Sequence, residues 1–271
     1  MARNLLAAGH EVVACDLDPT RAAALGGPVT ANAREAVAGA DVAITSLPSP
    51  AAVEQVAREI RGAGIPLFVD MSTGPPALAR RLAADLAAEG TESLDAPVSG
   101  GPRGAEQGTL TVMVGGAEQA FAQTEELLRG VGAQRVVHVG GPGAGQAAKL
   151  CNNLIAGVTV AAIAEACAIA EREGIDPALL YGVLTASTGD SRVLRARFPI
   201  PGVDPAHPAS AGYEALFALD LIAKDLALVR ELALEHGVSP TQAEAALSAY
   251  RVAQEAGLGD LDYSAIYLAE R

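Results

Sequence analysis

The chain has 271 residues and a formal net charge of −13, from 19 basic and 32 acidic side chains, which argues against a nucleic-acid partner or an anionic membrane surface, since both rely on clustered Lys and Arg. Half of the residues are apolar, only 3% are aromatic and none is Trp, so the core is expected to be built from Ala, Val, Leu and Ile. Three cysteines, Cys15, Cys151 and Cys167, are too few and odd in number for a disulfide framework, which points to a reducing, cytoplasmic setting.

Along the chain, residues 11–16 read as a strand and Pro19 opens a helix. Residues 42–48 form a second strand, followed by a helix from about Pro50. Residues 66–72 form a third, followed by a helix at the Pro75-Pro76 pair. Proline is pre-set for the first turn of a helix. Apolar strands alternating with helices indicate a parallel sheet covered on both faces. Strands at 93–98, 110–115 and 135–139 then follow more closely, as an added edge of that sheet. After the glycine cluster at 140–145 the strands stop. A long Ala-rich helix is expected over 146–173, with further helices at 176–186, about 213–236 and 239–256, and a loop at 198–212. The chain therefore reads as an α/β domain over 1–143 followed by an all-α domain over 144–271. The longest apolar run, 154–164, falls short of the roughly 20 residues of a membrane span. The start of the chain lacks the apolar stretch of a signal peptide. His10, His138, His207 and His236 have no partner at ligand spacing, so no metal site is expected.

Four segments carry chemistry. Asp16 ends the first predicted strand. In a doubly wound nucleotide fold an acid in that place accepts hydrogen bonds from the adenosine ribose and repels a 2′-phosphate, which favours NAD over NADP. The competing reading, a helix cap, is one that Asp18-Pro19 can already supply. Ser99-Gly100-Gly101 is a turn whose backbone N–H groups could nest a carboxylate, with the Ser99 hydroxyl as a further donor; many such turns are only loops. In the long helix, Lys149, Asn152 and Asn153 share a face, and Ala156 and Gly157 continue it one turn later, leaving space for a small ligand. Of the 19 basic residues 17 are Arg, and Lys stands only at 149 and 224. A merely solvated cation could have been Arg. Lys can give up and take back a proton, and a first-turn position against the helix dipole would favour its neutral form. Lys224 sits beside Asp225 in an apolar helix, where an ion pair accounts for a cation but not for the choice of Lys.

In this order the segments resemble the β-hydroxyacid dehydrogenase family over essentially the whole chain, with 95–101, 104–116, 145–153, 217–226 and 257–265 each similar to a family motif. The resemblance implies a Rossmann-like domain, then an all-helical one, with the active site between them. It implies Lys149 as acid/base, Asn153 and Asn152 on the substrate, and Ser99, Gly100 and Gly101 on its carboxylate. Asp16, Leu47, Pro48, Thr73 and Lys224 would contact the cofactor. The implied activity is NAD-dependent interconversion of a small 3-hydroxy acid and its semialdehyde, in a homo-dimer or homo-tetramer. A reductase of another small carbonyl or an imine is the neighbouring reading. The family also places a strand and a Gly-x-Gly-x-x-Gly turn ahead of Met-Ala-x-Asn-Leu, which here is Met1–Leu5. The Rossmann-like domain is thus expected to be N-terminally truncated, with two strands lacking a ladder partner. That departure keeps open a second class of reading, a non-catalytic remnant that no longer binds dinucleotide.

Overall fold

Short strands, several of them followed by a capped or proline-started helix, build the first part of the molecule. The computed structural model describes residues 1–270, and its packing separates Met1–Lys149 from Leu150–Arg271. In the first unit the order is α1 (Ala2–Ala7), β1 (Ala14–Cys15), α2 (Pro19–Ala23), β2 (Val29–Thr30), α3 (Ala33–Ala36), β3 (Val42–Thr45), α4 (Pro50–Glu59), β4 (Leu67–Asp70) and α5 (Pro76–Ala87). It continues with β5 (Glu92–Asp95), β6 (Val98–Ser99), α6 (Gly101–Gln107), β7 (Leu110–Gly116), α7 (Glu118–Gly130) and β8 (Ala133–Gly140).

The pairs β3–β4 and β4–β5 are parallel and in register, Val42 opposite Leu67 and Leu67 opposite Glu92. Successive residues of β4 feed opposite faces. Val69 joins the cluster with Leu5, Leu94 and Leu128, while Phe68 joins the one with Val53, Ile60 and Leu82. The sheet is therefore covered on both sides, as continuous apolar strands require. The strand expected at 93–98 is two pieces, β5 and β6, both antiparallel to β7. Pro97 lies at the break, has no N–H to give the ladder, and offers its carbonyl to Met113 N–H instead. β8 runs parallel along β7 and is reached through α7, a strand–helix–strand crossover rather than a closely spaced edge.

β1 pairs with β2 alone among the described residues, as a two-stranded sheet apart from the six-stranded one. That split accounts for the shortness of β1, which was expected over 11–16. With a ladder on one side only, its flanking residues stay outside it, and Leu17 is 96% exposed.

The helix α8 (Ala144–Arg172) opens at the end of the first unit and runs on into the second, which continues with α9 (Pro177–Thr185), α10 (Arg192–Arg197), α11 (Leu219–Glu235) and α12 (Thr241–Glu255). Two 3₁₀ helices complete it, Pro208–Ala211 inside the expected loop and Tyr263–Ala269 near the end. Its core joins Val160, Ala164 and Cys167 of α8 to Phe198, Leu219, Leu226, Tyr250 and Tyr267. By length and composition α8 could cross a membrane, contrary to the reading from uninterrupted apolar runs. Its inward side chains are instead spent on this core. Buried Asp262 accepts N–H groups of Leu216, Phe217 and Ser264 and lies 3.4 Å from Arg197, which fixes the approach to α11.

Candidate active site

The ends of the parallel strands gather polar groups in the first unit. At the end of β3, Thr45 donates its hydroxyl to Asp70 at 2.9 Å. Asp70 also accepts the Ser72 N–H, and Ser72 Oγ accepts the N–H of Leu47 at 2.8 Å. Leu47 and Thr73 are half-buried and Pro48 is exposed, so these three residues follow directly on the carboxyl ends of β3 and β4. In parallel α/β sheets that edge is where ligands bind.

Asp95, at the end of β5, is 4% exposed. Its Oδ1 accepts the Gly143 N–H at 2.7 Å and its Oδ2 the Gln146 N–H at 2.8 Å. A carboxylate thus satisfies orphan donors at the start of α8. Burial pushes the Asp95 carboxyl above the ordinary aspartate range, outweighing these two hydrogen bonds, which pull it down. The approach is close because position 145 is glycine: a Cβ there would stand 2.5 Å from both Asp95 O and Met113 O. Gln146 is 1% exposed. Its side chain donates to Ser72 O and accepts the Gly74 N–H, each at 2.9 Å.

Three residues on, Lys149 is 6% exposed. α8 begins at Ala144, two residues earlier than the sequence suggests, so Lys149 is in the second turn. The dipole argument weakens there, because that field fades within the first turn.

Ser99 lies in β6 opposite Thr111. Gly100 and Gly101 follow with φ of 135° and 62°, both in the region that favours glycine. Asp16 stands after β1, its Oδ1 accepting the Asp18 N–H at 2.8 Å. The cap of α2 is Asp18, which accepts from Thr20, so the helix-cap reading passes to Asp18 and leaves Asp16 a carboxylate at a strand end. The next basic residue, Arg21, pairs with Asp18 at 3.6 Å. This acceptor suits the hydroxyls of an unphosphorylated adenosine ribose and disfavours a phosphate. Asp16, after β1 of the two-stranded sheet, has the chemistry to accept from the ribose of NAD, and Leu47, Pro48 and Thr73 follow strand ends of the six-stranded sheet.

In the second unit, Asn153 is 4% exposed. It accepts from Asn152 at 3.0 Å and donates to Asp225 Oδ2 at 2.6 Å, while Lys224 Nζ lies 3.1 Å from Asp225 Oδ1. Asn152 is exposed. The ion pair weighed for Lys224 is present, and Asp225 ties it to the asparagines of α8. Gly157 does not open ligand space. A Cβ there would meet Leu226 at 3.1 Å and Ile222 at 3.3 Å, and the Gly157 carbonyl accepts the Tyr250 hydroxyl at 3.1 Å. Its small size serves the packing of α8 on α11. The sequence assigns no role to Asp95 or Gln146; a carboxylate at a strand end and an amide directly after Gly145 at a helix start are the available signal.

Residues 1–140 match the NAD binding domain of 6-phosphogluconate dehydrogenase, and residues 143–269 match the NAD-binding domain of NADP-dependent 3-hydroxyisobutyrate dehydrogenase. A 3-hydroxyisobutyrate dehydrogenase of Pseudomonas aeruginosa is 42% identical over 84% of this chain and 79% of its own length. An NAD-dependent L-serine dehydrogenase of the same organism is 37% identical over 98% of this chain and 92% of its own. The structure of Mycobacterium tuberculosis 3-hydroxyisobutyrate dehydrogenase with L-serine superposes with a TM-score of 0.92 at 38% identity, covering all of this chain and 94% of that one.

Proposed function

The chain belongs to the β-hydroxyacid dehydrogenase family, and on that premise we propose that it interconverts a small 3-hydroxy acid and its semialdehyde with Lys149 as general acid/base. It is an NAD-dependent oxidoreductase of a small hydroxy acid. NAD, when bound, supplies the two-electron hydride acceptor or donor. In oxidation Lys149 in its neutral form takes the hydroxyl proton as the substrate C–H bond breaks. In reduction the ammonium of Lys149 returns that proton to the forming alkoxide oxygen. Ser99 and the N–H groups of Gly100 and Gly101 hold the substrate carboxylate. Asn153 orients the hydroxyl end, with Asn152 beside it. Asp16 accepts from the ribose of the cofactor, while Leu47, Pro48 and Thr73 line its nicotinamide side. Lys224 contacts it from α11.

The observation that carries this reading is a buried lysine in a chain that otherwise uses Arg: Lys149 is 6% exposed. Arg cannot deprotonate in a protein, so Lys149→Arg keeps charge and fold but removes turnover. The test measures NAD reduction with 3-hydroxyisobutyrate, L-serine and other short hydroxy acids. Wild-type kcat in Lys149→Arg would sink the acid/base role. Saturable NAD binding by the 271-residue chain separates the enzyme from the non-catalytic remnant.

A homo-oligomer completes the reading. On α8, Ile155 and Ile169 are 67% and 57% exposed, and on α9, Leu179 and Val183 are 69% and 62% exposed; apolar residues this open on two helices suit burial against a second copy. Analytical ultracentrifugation, with Ile155→Asp and Leu179→Asp lowering the observed mass, tests it. Its three free cysteines support a reducing, cytoplasmic setting.

A further inference from the structure

We propose that Gln146 is a positioning residue, which locks the helix turn that bears Lys149 to the strand end that lines the nicotinamide. The proposal rests on the reading of Lys149 and Thr73 given above.

Three features of the first unit converge on this residue. The side-chain amide of Gln146 has both ends occupied by backbone of one short loop: its Nε2 donates to Ser72 O and its Oε1 accepts the Gly74 N–H, each at 2.9 Å. These two partners bracket Thr73. The backbone of Gln146 is held independently, by Asp95 Oδ2 on its N–H at 2.8 Å, while Asp95 Oδ1 holds Gly143 three residues before it. The residue is also 1% exposed, so water cannot replace a lost partner, and each bond is worth keeping for that reason.

Helix geometry carries this grip to Lys149. Gln146 and Lys149 are i and i+3, adjacent on one side of α8 and about 4.5 Å apart along its axis. A hydrogen-bonded helix turn moves as a body, so the depth and rotation at which Gln146 is held set where the Lys149 stem emerges. Thr73 is fixed by the same amide. One side chain therefore sets the spacing between the proton-transfer group and the wall against which the hydride moves. Spacing at this level matters: a misplacement of about 1 Å at reacting groups costs on the order of a hundredfold in rate. A merely structural glutamine would hold α8 against the sheet and affect stability. It would leave the surroundings of the Lys149 amine unchanged in protein that stays folded.

The test uses the full chain as Gln146→Met, which keeps length but removes both hydrogen bonds, and Gln146→Glu, which keeps the acceptor for Gly74 and loses the donor to Ser72. Because the chain has only two lysines, lysine labelled with ¹³C at Cε gives two NMR signals, assigned with Lys224→Arg, in protein without cofactor. The expected result is a displaced Lys149 signal in both variants, with the Lys224 signal unmoved. In turnover, Gln146→Met is expected to lower kcat by roughly ten- to a hundredfold with KM for the hydroxy acid changed by less than about threefold, as for an interaction made in the transition state. Gln146→Glu, which sets a carboxylate oxygen against the Ser72 carbonyl, should lower kcat by at least as much, and it carries the test if Gln146→Met does not fold. A Lys149 signal that coincides with wild type in folded variants would overturn the proposal, as would an unchanged kcat. Lys149→Ala with wild-type turnover would overturn the acid/base reading itself. That failure is distinguishable, because the NMR signal does not depend on catalysis.

Discussion

Replacing Asp95 by Ala leaves two backbone donors at the start of α8, Gly143 N–H and Gln146 N–H, without their carboxylate. Asp95 is 4% exposed, so water has little access to either donor. A buried donor left unsatisfied costs about 1–3 kcal/mol, and two give about 2–6 kcal/mol. Asp95→Asn keeps one carbonyl acceptor and turns an NH₂ toward the second donor, so its cost should be about 1–3 kcal/mol. Urea denaturation followed by far-UV circular dichroism measures this, and the loss should appear in the transition that unfolds the first unit. The pH dependence has a definite sign. Burial raises the Asp95 carboxyl in the folded protein, so the folded state keeps that proton to higher pH than the unfolded chain does. Wild type therefore loses stability as pH rises from the ordinary aspartate value through the raised one, and is level above it. Asp95→Asn has no such titration, and the gap between the two proteins should narrow as pH rises across that window. An Asp95→Ala protein within about 1 kcal/mol of wild type would refute the double-acceptor account.

Gly145→Ala places a methyl 2.5 Å from the backbone oxygens of Asp95 and Met113; overpacking of about 1–3 kcal/mol is expected, and thermal melting together with kcat checks it, a wild-type result in both counting against the close approach. Asp16→Ala should raise Kd for NAD by about ten- to a hundredfold, the worth of a charge-assisted hydrogen bond, and narrow the preference over NADP; isothermal titration with both dinucleotides decides, and unchanged NAD affinity would remove Asp16 from the site. Thiol labelling at pH 8 followed by mass spectrometry should modify exposed Cys151 first. Exposed Cys15 should follow more slowly, since burial, Glu59 and Asp16 push its thiol up. Buried Cys167, pushed up to about 12, should react only on unfolding, and its labelling in native protein would contradict the packing of α8.

Much of the α/β half was legible because prolines at 19, 50 and 76 mark helix starts that the structure keeps. The helices α3 and α7 lie outside the expected elements, although Asn32 caps one, and Ala120, Thr124 and Leu128 line the buried side of the other. Pro97 broke a strand that apolar content alone made continuous. The averaged composition of α8 resembles a membrane span, whereas its pattern of buried positions is that of a core helix. Gly157 suggests ligand space in sequence, since a small residue on a helix face looks the same whether a ligand or a leucine fills the gap.

Residue types along the chain already carry the chemistry on offer: a lysine where Arg is otherwise used, a carboxylate at a strand end, and glycine turns in a recognisable order. Proton transfer demands a residue type, and residue types are written in the chain. What holds those groups depends on the folded packing. Asp95 meets Gly143 across 48 residues, and Gln146 reaches Gly74 across 72. Local periodicity carries no record of such partners, because a buried hydrogen bond is chosen by what the fold brings near and shields from water. The lysine is legible from composition, and its setting in the second turn of α8, behind a carboxylate and an amide, belongs to the fold.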